Sequence, residues 1–143
     1  MTTVRSLLLR LAAWAALPVA VACGGDETQA PEDHTPVAYT VFVNGTEAAE
    51  PVILTQGQIT RIRLVFTNAA GDDLDDVETE HFGGLSFEPT SLATVERVVG
   101  HNFQFDVTGG TPGTGDARVS YGHDEVADET TLTSFDVSVQ GGP

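Results

Sequence analysis

Gln58-Ile59-Thr60-Arg61-Ile62-Arg63-Leu64-Val65-Phe66-Thr67-Asn68 decides the fold. Ile62, Leu64 and Phe66 fall on one face and Arg61, Arg63 and Val65 on the other. That period of two belongs to a strand with one face in a core. The same alternation recurs downstream in three sets: Phe103, Phe105 and Val107; Ala117, Val119 and Tyr121; Phe135, Val137 and Val139. Each set is predicted to point inward. Upstream, Val37 to Val43 reads as a strand closed by Asn44-Gly45, a dipeptide suited to a tight hairpin turn.

The remaining pieces are shorter. Pro51 to Leu54 reads as an edge piece, and Ala69 to Asp73 as a turn. Val77 to Phe82 and Leu85 to Glu88 read as two weak strands split by Gly83-Gly84. Pro89 to Leu92 is a corner, Thr94 to Val99 a further short strand, and Gly109 to Gly115 a glycine-proline loop. No stretch after residue 36 keeps a 3.6-residue apolar period, so essentially no helix is expected. Seven to eight short strands with frequent turns predict an antiparallel β-sandwich over residues 37–143. A parallel sheet is not expected, since no crossover helices are available.

Two resemblances follow from particular residues. Gly57 to Leu64 followed by Asn68-Ala69-Ala70-Gly71-Asp72 resembles the early strands of bacterial Ig-like domains. Gly113-Thr114-Gly115-Asp116-Ala117-Arg118-Val119 is similar to their penultimate strand. The resemblance implies an Ig-like sandwich used for adhesion, spacing or scaffolding, and it brings no catalytic residues. The immunoglobulin disulfide and core tryptophan are absent.

The second resemblance lies at the start of the chain. Arg5 and Arg10 precede an apolar run from Leu11 to Ala22, and Ala20-Val21-Ala22 precede Cys23, the one cysteine. A basic start, an apolar middle and small residues before a cut make a secretory leader. The run, bounded by Arg10 and broken by Pro18, is shorter than the roughly 20 apolar residues a membrane span needs. The small residues before the cysteine resemble the lipobox of bacterial lipoproteins, which implies residues 1–22 as signal peptide and Cys23 as the acylated new N-terminus. An ordinary cleaved leader is the competing reading. Gly24 after the cysteine leans toward the outer membrane or cell surface as destination. Residues 23–36, with Gly, Pro and four acids, read as a flexible acidic tether carrying a solvated His34.

Removing residues 1–22 leaves 121 of the 143 residues, enough for one domain. They hold four arginines, no lysine and all 21 acids, a net of −17. Nucleic acid, which requires a basic patch, is excluded as a partner. Charge-driven adhesion to an anionic bilayer is excluded too. The expected partners are the membrane, through acylated Cys23, and an envelope protein. The acidity itself has two readings, solubility or salt adaptation on one side and cation binding on the other.

Two sets of residues have metal-binding chemistry. Asp72, Asp73, Asp75, Asp76 and Glu78 form a carboxylate-rich loop able to hold calcium. His101, and His123 beside Asp124, carry donors for zinc or copper. A hydrated turn and isolated loop histidines are the competing readings. In an Ig-like strand order the loops at Asn68–Asp76, around His101 and at Gly122–Glu129 share one pole. His81 is expected at the opposite pole, and the tether is expected to leave from the acidic one. No cofactor is otherwise implied. Ser120, His123 and Asp124 supply triad residue types but lack a nucleophile elbow, and no glycine loop carries the phosphate-binding lysine. The chain is therefore expected to be a non-enzymatic, lipid-anchored module of the bacterial cell envelope, with cation binding as the alternative.

Overall fold

A computed structural model of the chain describes residues 35–74, 80–123 and 130–143. Cys23, Asp75, Asp76, Glu78 and Asp124 lie outside them. The described residues form nine strands and no helix. These are β1 (Pro36–Val43), β2 (Thr46–Glu47), β3 (Val52–Thr55), β4 (Ile59–Asn68), β5 (Phe82–Glu88), β6 (Ala93–Arg97), β7 (Gln104–Gly109), β8 (Gly113–Gly122) and β9 (Thr130–Gln140).

They make two sheets, ordered β2-β1-β4-β7-β6 and β3-β9-β8-β5. In the first, β1-β4-β7-β6 reproduces the A-B-E-D order of an immunoglobulin sheet; in the second, β9-β8-β5 reproduces G-F-C. The fold is therefore an Ig-like β-sandwich. Each predicted inward set is buried: Ile62, Leu64 and Phe66 from β4, Phe103 with Phe105 and Val107 from β7, and the sets of β8 and β9. Phe66, Phe103 and Phe135 are the largest fully buried side chains. The outer face of β4 is held by its arginines. Arg61 pairs with Asp106 directly across the sheet (2.6 and 3.1 Å), and the Arg63 guanidinium lies 4.8 Å over the Phe42 ring. Asn44 and Gly45 both have positive φ (50° and 85°), the backbone a two-residue hairpin demands.

Three expectations are corrected. First, the sandwich is not wholly antiparallel, because β3 runs parallel to β9 from Val52↔Val137 to Thr55↔Gln140. The first strand of the fold is divided, β1 joining one sheet and β3 the other. With the two-residue β2, which the sequence does not announce, the described strands number nine.

Second, Gly83-Gly84 does not split a strand. β5 runs through both glycines in unbroken register with β8, from Phe82↔Gly122 to Glu88↔Asp116. Its backbone lies against the aromatic core, where a Cβ on Gly83 would stand 3.1 Å from the Phe66 ring and 3.2 Å from that of Phe103. The glycine makes room for rings instead of ending the strand.

Third, His81 is not at the far pole. Because β5 starts at Phe82 opposite Gly122, the residue before it stands beside His123, the residue after β8. The stretch expected to hold two strands supplies one here, and Ala93–Arg97 supplies the next, so the loop alternation is restored.

Candidate functional site

The C-terminal ends of β4, β6 and β8 share one pole with the start of β1, as the Ig-like order requires. Pro36 is the register partner of Asn68, so the chain enters the domain at this pole. Asn68 organises the first loop. Its Oδ1 accepts hydrogen bonds from the backbone N–H groups of Ala70 (3.0 Å) and Asp72 (2.9 Å), and its carbonyl accepts from Gly71 (3.0 Å). An asparagine side chain that stands in for a backbone turn partner sets such a reversal. The chain then runs back along β4, with Asp73 bridged to Thr67 and the Leu74 N–H donating to the Phe66 carbonyl at 2.8 Å.

This reversal leaves Asp72 and Asp73 exposed at the pole. His101 lies in the loop between β6 and β7, where the Gln104 amide nitrogen is 2.8 Å from its Nδ1. His123 stands exposed at the end of β8. Among the described residues, no group of three or more His, Cys, Asp or Glu side chains is placed to hold a metal ion.

The imidazole that meets His123 is His81. Their Nε2 atoms are 2.9 Å apart and their ring centroids 4.3 Å, with 55° between the planes. His81 is 5% exposed, and its ring stacks on Tyr121 (5.5 Å between centroids, 20°). Tyr121 in turn meets Phe66 edge-on at 5.0 Å, and Phe66 meets Phe103 at 4.8 Å. Such tilted and edge-on pairs are the favoured geometry of aromatic quadrupoles. The histidine pair thus caps a column of rings that runs into the core. Arg97 steadies the same end: its Nη2 donates to the Gly83 carbonyl at 2.9 Å and its guanidinium lies 5.0 Å over Phe82, linking β6 of one sheet to β5 of the other.

The sequence signal for this pair is weak, because 42 residues separate its members and no local spacing relates them. The one hint is that Glu80-His81 precedes the glycines of β5 while Gly122-His123 ends β8. An unbroken β5 is needed to see that these two ends are neighbours.

A concavity of about 360 Å³ lies between β1 and β9. It is lined by Tyr39, Glu47, Glu50, Val52, Thr133 and Phe135 among others. The Tyr39 hydroxyl is pushed above the ordinary phenol range, first by burial of the ring and further by the nearby Glu50 carboxylate. On the far side of the first sheet, the Asp106 carboxylate holds the Arg61 guanidinium above its usual value.

No protein-family model matches the sequence, and no curated protein does. Among solved structures, the chain is similar to the crystal structure of domains 4 and 5 of the S-layer protein SbsC. The TM-score is 0.46 at 18% sequence identity, over 73% of this chain and 53% of that one. The chain therefore spans about half the length of that S-layer chain.

Proposed function

We propose that the protein is a lipid-anchored, non-enzymatic Ig-like module of the bacterial cell envelope, tethered through acylated Cys23 and serving a structural or protein-binding role outside the cytoplasm. The observation that carries this reading is the entry of the chain at the loop pole, where Pro36 pairs with Asn68. Fourteen residues of acidic, glycine- and proline-containing sequence, 23–36, run from Cys23 to that point. Fully extended, they reach about 45 Å. The tether thereby joins the domain at the pole of Asp72, Asp73, His81 and His123, and the opposite pole is the one farther from the attachment point, available to an envelope partner.

A single acyl chain gives only marginal membrane binding, so the multiple chains of a lipoprotein cysteine are what hold the module in place. Asp72 and Asp73 repel anionic headgroups. That repulsion keeps the pole off the surface, which suits a spacing role at the outer membrane or cell surface. Cys23→Ser tests the anchor: the variant is expected to leave the membrane fraction and become soluble after export. Unchanged fractionation would contradict the reading.

A further inference from the structure

We propose that His81 and His123 form a binding site for a divalent transition-metal ion of imidazole preference, copper(II) or nickel(II) ahead of zinc. The geometry of the two rings carries this. A linear N–H···N bond of this length between imidazoles, with each nitrogen about 1.2 Å from its ring centroid, places the centroids about 5.3 Å apart. They are 4.3 Å apart here, although the nitrogens are 2.9 Å apart. The rings are bent toward one another, which weakens a hydrogen bond.

The same bend suits a shared ion. Two nitrogens each about 2.05 Å from one ion and 2.9 Å from each other subtend an angle of about 90° at it. Rings aimed along those bonds have centroids about 4.6 Å apart, nearer the 4.3 Å present than the linear hydrogen bond allows. A right angle is the cis angle of tetragonal copper(II) and nickel(II) sites. Tetrahedral zinc needs the nitrogens about 3.3 Å apart, so the rings must open by roughly 0.4 Å. Calcium is not a candidate for this pair, since it takes oxygen ligands.

The setting supports the assignment. His81 is buried and fixed by its stack on Tyr121, so one ligand is preorganised on the core. His123 is exposed, which leaves the site open to solvent for the remaining positions. A shift of the donor ring's proton from Nε2 to Nδ1 keeps both imidazoles neutral and turns both Nε2 lone pairs toward the ion. The site differs from the acidic loop in donor type, and it does not depend on the anchor.

The test is titration of the full-length chain carrying Cys23→Ser, which removes the competing thiol, with copper(II) in excess calcium. Calorimetry gives stoichiometry and electron paramagnetic resonance reports coordinated nitrogen. One ion per chain is expected, with two imidazole nitrogens in the spectrum. His123→Ala, at an exposed position, is expected to weaken binding by about tenfold or more and to remove one nitrogen. His34→Ala and His101→Ala are expected to leave both readouts unchanged. No 1:1 binding, or a His123→Ala variant with unaltered affinity and spectrum, would overturn the proposal.

Discussion

The Tyr39 hydroxyl donates a 2.6 Å hydrogen bond to the carbonyl oxygen of Thr133, joining β1 of one sheet to β9 of the other across 94 residues of sequence. The Tyr39 ring also packs at a tilt against Phe66 (6.4 Å) and Phe135 (6.5 Å). At this point the edge of β9 is not paired with β3, which joins it only from Val137 onward. Tyr39→Phe keeps the ring and removes the bond, so an unfolding free energy lower by about 1 kcal/mol is expected in denaturant titrations.

The same residue gives a pH dependence. Burial raises the Tyr39 hydroxyl above its value of 10.0, so the folded state holds this proton more tightly than the unfolded chain. The resulting stability is complete below the unfolded value and is lost as pH rises from there through the raised folded value. Stability of the wild type is expected to fall above pH 10, and Tyr39→Phe to lessen that fall. Parallel alkaline limbs for the two proteins would show that Tyr39 does not contribute to it.

Gly109 ends β7 beside the turn that leads from β3 into β4. Its carbonyl accepts from the Gly57 N–H at 2.8 Å and its own N–H donates to the Gln58 carbonyl at 3.1 Å. A Cβ at this position would run into the Thr55 carbonyl oxygen, a backbone atom that cannot swing aside. Gly109→Ala is expected to lower stability by about 2–3 kcal/mol, seen as a shifted thermal midpoint. Gly45→Ala, where a Cβ meets open space but φ is positive, is expected to cost less, about 1 kcal/mol.

The net charge of −17 beyond residue 22 predicts a salt response. Of the four arginines, Arg61 is engaged with Asp106 and Arg118 with Glu88. Most carboxylates are therefore left to repel one another. Raising sodium chloride from about 0.01 M to 0.5 M shortens the screening length from roughly 30 Å to under 10 Å. The thermal midpoint is expected to rise over that interval. A midpoint insensitive to salt would mean that the surface charge is already neutralised by bound ions.

Much of the fold was legible because alternation is a local signal. Ile62, Leu64 and Phe66 announce their burial within five residues, and Asn44-Gly45 announces its turn within two. Gly83 was not legible, since a missing side chain looks the same whether it ends a strand or admits Phe66 and Phe103. The parallel pairing of Val52–Thr55 with β9 joins the two ends of the domain, and nothing within a short strand specifies it. The candidate site was legible only as one pole of loops carrying Asp72, Asp73, His101 and His123. That His81 meets His123 depends on β5 beginning at Phe82 opposite Gly122, a register that involves both strands at once.

Intact mass spectrometry of the protein extracted from membranes bears most directly on the anchored module. The expected mass is that of a chain beginning at Cys23 and carrying covalent acyl chains on that residue, with nothing of residues 1–22 retained. A chain that keeps the leader, is cut elsewhere, or starts at an unmodified Cys23 would contradict a lipid-anchored Ig-like module.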